Sequence, residues 1–258
     1  MTCAPGGFLG GAWAVTNRNL TVWRRYAGAS AIGNFGEPLL YLLALGYGLG
    51  RVVPQLGGMS YAEFIAPGLV VSTVMYTATF EGTFGSYTRL STQRTFEAVL
   101  ASPVTPHELV AGEVLWGGIK GTFGAIAVLA VITLFGLVPS WTAIVTIPFG
   151  FLAGLMFMAM ALVVTGLSRS YEFFNYYFTL LVAPMFLFSG VFFPLAEMPP
   201  LVQWGALALP LTHVVEVSRA LVRGTFSWHH LWHLLAVAGF LVVAYLGCTR
   251  LLSRRLRG

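Results

Sequence analysis

Four ionisable side chains, Glu37, Glu81, Glu113 and Lys120, fall inside long apolar runs of a 258-residue chain that has no aspartate and a single lysine. A charge in such a run is costly unless it is paired or faces water. Glu81 and Glu113 are expected at similar depths in neighbouring spans, on the rise of about 1.5 Å per helical residue. Glu113 and Lys120 are seven apart and share a helical face, so Lys120 is expected to point inward, neutralised by one of the glutamates. Two readings stay open: a buried pair that holds helices together, and a role in a substrate path or its coupling.

Other chemistry is scarce. A phosphate-cradling loop needs Lys followed by Ser or Thr, but Gly121 follows Lys120, and no aspartate exists to hold magnesium. No nucleotide site is expected in this chain; if ATP drives it, another polypeptide binds the ATP. His107-Glu108 lacks the second histidine of a zincin motif. His229, His230 and His233 open the last apolar run, where interfacial histidines are the ordinary explanation and a metal site the rarer one; no metal-ligand set is assigned. Cys3 and Cys248 show neither metal spacing nor a disulfide framework. Ser168, Ser170 and Ser227 sit where helix caps belong, and no Ser-His-acid order suggests a hydrolase.

The elements that carry these residues are membrane helices. Hydrophobic residues make up 57% of the chain and charged residues 9%, against roughly 25% charged in a soluble domain. Six runs approach the roughly 20 residues that cross a bilayer: 29–49, 61–84, 109–137, 143–167, 173–193 and 231–251. They do not alternate as barrel strands would. The fold class is therefore all-α integral membrane, a single domain over 1–258 with no removable signal peptide expected. With the N-terminus inside, ten arginines fall on the cytoplasmic side and three (Arg51, Arg219, Arg223) outside, which puts both termini in the cytoplasm. The net charge of +5 is distributed as topology requires, which argues against a nucleic-acid partner.

Three further segments stand out. Residues 12–26 place Trp13, Val15, Leu20, Val22, Trp23 and Tyr26 on one helical arc and Asn17, Arg18, Thr21, Arg24 and Arg25 on the other, the pattern of a helix lying in the membrane interface against lipid. In the loop after the second run, Phe96, Val99 and Leu100 recur at helical spacing over 94–102, and Arg94 and Glu97 are placed to pair. Pro103 ends that helix, and Thr105-Pro106-His107-Glu108 forms a capping box with proline at the first helical position. A loop this structured presents a surface for docking. The segment 190–224, broken by Pro194, Pro199, Pro200 and Pro210, is too apolar for a free loop and reads as short re-entrant or interfacial helices.

Glu81-Gly-Thr-Phe84, Thr95-Phe-Glu-Ala-Val-Leu-Ala-Ser-Pro103, Gly112-Glu113, Phe192-Phe-Pro194 with Pro199, and Pro210-Leu-Thr-His213 followed by Arg219 together resemble the permeases of the type-2 ABC exporter family. The likeness runs over nearly the whole chain, and its details are nearest to permeases for lipo-oligosaccharides. It implies a permease homodimer joined to two cytoplasmic ABC ATPase subunits, which bind ATP and Mg. The helix 94–102, with Arg94, Thr95, Phe96, Glu97, Val99 and Leu100, would be the coupling helix docked on the ATPase, with Phe96, Val99 and Leu100 in contact and Arg94 and Glu97 at the rim. The helix 12–26, with Arg18, Arg24 and Arg25, would lie beside it. The short helices within 192–221, with Phe192, Phe193, Pro194, Glu197 and His213, would gate the exit. The location implied is a bacterial inner membrane, the cargo an amphipathic or saccharide-bearing molecule, and the chain a transport subunit rather than an enzyme. Two other readings compete: a proton-coupled transporter using the buried glutamates, and a membrane protein that transports nothing.

Overall fold

The computed structural model describes residues 7–28, 36, 38–53, 55–56 and 58–256. Glu37, Arg257, Cys3 and much of the first expected span lie outside the described residues. Helix α1 (Phe8–Trp23) is followed by a helical stretch α2 (residues 38–51) and a short antiparallel hairpin, β1 (Gln55–Leu56) and β2 (Met59–Ser60). Helices α3 (Tyr61–Thr92), α5 (Pro106–Leu134) and α6 (Trp141–Leu167) come next, with the six-residue α4 (Thr95–Leu100) between the first two. The chain then runs through α7 (Glu172–Phe188), α8 (Pro200–Leu207), α9 (Pro210–Arg223) and α10 (Trp228–Arg255).

Among the described residues, α3, α5, α6 and α10 are long and apolar enough to cross a membrane; α8 and α9 meet at 90° and add a fifth crossing only if the bent pair is one span. The expected break at the prolines of 190–224 is therefore present. The fifth expected run stops early: α7 ends at Phe188, and Ser189 and left-handed Gly190 (φ 78°) turn the chain. The second runs on: α3 does not stop at Phe84 but continues to Thr92 through two widened turns, Glu81–Gly85 and Thr88–Thr92, the second closed by Gln93 N–H donating to Thr88 O at 2.9 Å.

Capping fixes the starts. Ser60 caps α3, its hydroxyl accepting from Glu63 N–H while the Glu63 carboxylate accepts from Ser60 N–H at 2.8 Å. Thr105 and Glu108 do the same for α5, with Pro106 at its first position. Helix α3 is the centre of the bundle and α10 its edge: 72% of the most apolar part of α3 is buried, against 22% for α10. Apolar attraction between helices is weak in lipid, so close packing of small residues joins them. Gly117, Gly118 and Gly121 of α5 face Gly150, Gly154 and Met158 of α6, and a Cβ at Gly154 would stand 2.7 Å from the Gly117 carbonyl oxygen.

Helix α1 packs on α5 by the same rule. A Cβ at Gly112 would lie 2.5 Å from the Ala12 carbonyl oxygen, and the Thr16 hydroxyl donates to Gly112 O at 3.0 Å. The arc expected to lie against lipid is divided by this contact. The buried face of α1 is Gly11, Ala12, Val15, Thr16, Asn19 and Trp23, while Trp13, Val22 and Tyr26 are exposed. Small and polar residues make the protein contact together with Val15 and Trp23, the two members of the apolar arc that turn inward.

Candidate functional site

The charged residues flagged in α3 and α5 converge, and at their centre is a residue the sequence reading had counted only as a cytoplasmic charge. Arg89 reaches Glu81 at 2.8 Å and Glu113 at 2.6 Å, and donates to the Ser86 hydroxyl at 3.0 Å. Lys120 Nζ lies 3.7 Å from Glu81, 5.6 Å from the Trp23 ring and 5.9 Å from that of Trp116. Glu113, 1% exposed, also accepts from the Asn19 amide at 2.7 Å and the Ser86 hydroxyl at 2.9 Å. The Asn19–Glu113 bond ties α1 to the centre, and Arg18 donates to the Asn19 side-chain oxygen at 2.9 Å.

Helical rotation of 100° per residue would leave Glu81 and Arg89 about 80° apart around α3. The widened turns between them take up that difference, and Gly85 leaves the space: a Cβ there would stand 2.9 Å from a Glu81 oxygen. Wide turns of this kind are frequent at functional sites. Outside the spans, burial and the neighbouring Arg89 push the Arg18 guanidinium below its ordinary value, with Glu113 opposing. Burial and Glu81 push the Tyr26 phenol up, with Arg89 opposing.

Two cavities meet at this centre. One, of about 360 Å³, is lined by Tyr41, Tyr76, Phe80, Phe186 and the polar face of α3, down to Glu81 and Lys120. The other, of about 410 Å³, is lined by Arg18, Asn19, Tyr26, Arg89, Gln93 and Trp116. Glu81, Phe84 and Gly85 line both. A single face of α3, from Leu69 to Arg89, thus borders both cavities. Its twenty steps rise about 30 Å, the thickness of the hydrocarbon core. Aromatic rings line much of it: Phe80 and Phe84 pack with Phe178, Phe84 also with Phe174, and Phe186 with Tyr41 and Tyr76. Of the other α7 aromatics, Phe173, Tyr176 and Phe188 are exposed.

The sequence that builds this centre is matched by known proteins. The sequence profile of the ABC-2 type transporter family fits residues 11–222. The chain belongs to that family. This ABC-2 protein is 36% identical over 243 residues to Nodulation protein J of Rhizobium meliloti (strain 1021), covering 94% of this chain and 93% of that one. It is 35% identical over 257 residues to Nodulation protein J of Rhizobium leguminosarum bv. trifolii, covering 99% and 97%. It is 28% identical over 224 residues to the inner membrane transport permease YadH of Escherichia coli (strain K12), covering 83% and 84%. No solved structure matches it. The ABC-2 chain is a multi-pass membrane protein and a transport subunit.

The remaining flagged residues fall in two further places. In α4, Phe96 is 1% exposed: it turns into the protein and anchors the helix, which corrects its expected part in an outward apolar contact. Arg94, Glu97 and Ala98 are exposed, Thr95, Val99 and Leu100 half-buried. The chain enters α4 through left-handed Arg94 (φ 49°), and Arg94 and Glu97 do not pair. Arg24 and Arg25 are exposed at the end of α1. In the segment before α10, Phe192 is buried, Phe193 is 54% exposed, and Pro194 precedes a short turn that carries exposed Glu197. His213 is buried on α9, its Nδ1 2.9 Å from His233 Nδ1 of α10 and its Nε2 3.0 Å from Leu207 O. Among the described residues no three His, Cys, Asp or Glu gather as a metal site.

Proposed function

We propose that this chain is the membrane-spanning permease of an ATP-driven exporter, moving an amphipathic, saccharide-bearing or lipid-linked cargo out of the cytoplasm by alternating access. The observation that carries the reading is the α3 face, which borders one path from a charged centre to an aromatic wall. Apolar and stacking contacts along that wall suit a molecule with sugar rings and an acyl chain. The names of the relatives, nodulation protein J and an inner membrane transport permease, support the same assignment.

In this scheme six spans cross a bacterial inner membrane with both termini in the cytoplasm, and two copies form the permease. The ATPase partner binds ATP and Mg, and supplies the energy of hydrolysis. It docks on the outward face of α4, Arg94, Glu97 and Ala98, with Val99 and Leu100 at the edge, while Phe96 holds α4 to the bundle. Helix α1 lies in the inner interface among lipids, and the segment 192–221 gates the outer side. Glu81 and Glu113 are engaged with Arg89 and Lys120, which favours a structural or coupling role over a proton relay.

The test is co-purification with the ABC ATPase encoded beside this chain. Wild type is expected to retain the ATPase, and a Glu97→Lys, Ala98→Arg double variant to lose it with the bundle intact. Equal retention by that variant would remove α4 as the docking face. No retention by wild type in a detergent that preserves the fold would bring the proton-coupled alternative forward.

A further inference from the structure

Among the described residues the charged centre does not balance. Arg18, Arg89 and Lys120 bring three positive charges; Glu81 and Glu113 bring two negative ones. Arg89 is engaged by both carboxylates and Lys120 by Glu81. The surplus therefore rests on Arg18, whose side chain, among the described residues, bonds only the neutral Asn19 oxygen. A guanidinium has five N–H donors in a planar fork that suits carboxylates and tetrahedral oxyanions.

Arg18 lines the 410 Å³ cavity together with Asn19, Tyr26, Thr88, Gln93 and Trp116, of which Tyr26 and Gln93 carry donors that can serve a ligand. That cavity meets the aromatic one at Glu81, Phe84 and Gly85. A charged head bound beside Arg18 would thus leave its molecule's apolar or glycan part directed along the wall of Tyr76, Phe80 and Phe186. Desolvation strengthens such a contact: a half-buried arginine with no direct ion pair among the described residues gains more from an arriving anion than an exposed one does.

We infer that the cavity beside Arg18 is a binding site for the anionic headgroup of an amphiphile, a phosphate, sulfate or carboxylate, with Arg18 as its principal contact. The site deepens the exporter reading by assigning a headgroup chemistry, and it also holds for a membrane lipid resting at the mouth of the path.

The test is made on the purified full-length chain in nanodiscs of neutral phosphatidylcholine, without the ATPase, so that failure here is separate from failure of the docking experiment. The probe is a dansyl-labelled alkyl phosphate, followed by energy transfer from tryptophan and compared with the same tail bearing a hydroxyl head. The phosphate probe is expected to bind saturably, more weakly as salt rises, and well ahead of the hydroxyl probe. Arg18→Gln is expected to weaken it about tenfold, the scale of one lost hydrogen bond to a charged group; Arg18→Lys restores part of the affinity, and Arg250→Gln, an exposed charge on α10, changes nothing. Equal binding of the two probes to wild type overturns the inference and requires no variant to fold. Equal binding of the phosphate probe by Arg18→Gln and wild type does so too. Full displacement by inorganic phosphate at matched concentration overturns the amphiphile assignment. Loss of probe binding in discs that contain phosphatidylglycerol keeps the site and assigns it to a membrane lipid, whereas resistance to both competitors assigns it to the cargo.

Discussion

Replacing Arg89 by methionine keeps most of the side chain's length and removes its charge. Glu81 would keep Lys120 at 3.7 Å. Glu113 would keep the Asn19 amide and the Ser86 hydroxyl but lose its direct ion pair with Arg89, at 1% exposure. Leaving a buried charge uncompensated costs about 3–5 kcal/mol. Glu113→Gln should cost less, about 1.5–3 kcal/mol, because Arg89 retains Glu81 and the amide can still accept from Asn19. The double variant, Arg89→Met with Glu113→Gln, leaves no orphan, so its loss should fall short of the two single losses by about 0.5–3 kcal/mol. Reversible denaturation in mixed micelles, followed by circular dichroism, measures all three. An Arg89→Met protein as stable as wild type, or a double variant as unstable as the sum, would refute the argument that Arg89 neutralises Glu113.

Three further outcomes are expected. Gly112→Leu should push α1 off α5, because even the first added carbon meets the Ala12 carbonyl oxygen at 2.5 Å; a loss of about 1–3 kcal/mol and faster proteolysis within α1 are the readouts, and an unchanged digestion pattern would count against the close contact. Phe96→Ala should destabilise the protein by about 3–5 kcal/mol, whereas Glu97→Lys, on the exposed side of the same helix, should leave the denaturation curve within about 0.5 kcal/mol of wild type. His213 Nε2 donates to Leu207 O, so its Nδ1 accepts from His233 Nδ1–H. A second proton would set two N–H groups face to face; burial of the His213 imidazole disfavours that proton, so the contact persists through the ordinary histidine range of about 6.5 and is lost only as pH falls below it. The Trp232 ring, whose centroid lies 3.9 Å from that of His233 and 4.8 Å from that of His213, should report this as a fluorescence change in wild type and not in His213→Gln; a flat wild-type profile would dismiss it.

Local signals in the sequence were good guides where the physics is local. The Thr105–Glu108 cap, the proline-broken outer helices and the helix after Arg94 depend on neighbours a few residues apart, and each is readable from residue type and spacing. Lys120 turned inward to Glu81 follows from the cost of an unpaired charge in an apolar setting. Arg89 was missed because α3 was expected to stop at Phe84; only the widened turns beyond it carry the arginine back toward Glu81. The Glu81-x-x-x-Gly85-x-x-x-Arg89 spacing was the available signal. The sides of α1 and α4 that meet the protein escape periodicity for a different reason. In lipid, the side toward protein and the side toward acyl chains are both apolar, so periodicity finds an arc without saying what it touches. Gly11, Ala12 and Thr16 marked the contact in α1 by their size, while nothing in the six residues of α4 distinguishes an apolar side chain facing inward from one facing a partner.

The contrast between the α5–α6 seam and the outer side of α10 implies two kinds of tolerance to change in one chain. At the seam, a carbon added to Gly154 has no room beside the Gly117 carbonyl oxygen, so information is stored position by position, in volumes. Along α10, Leu235, Val242, Val243 and Leu246 face outward into a solvent of acyl chains that conforms to whatever shape it meets. That helix stores its information as an average: shuffling leucine, valine and isoleucine among these sites should preserve the fold, whereas exchanging one seam glycine for alanine should not.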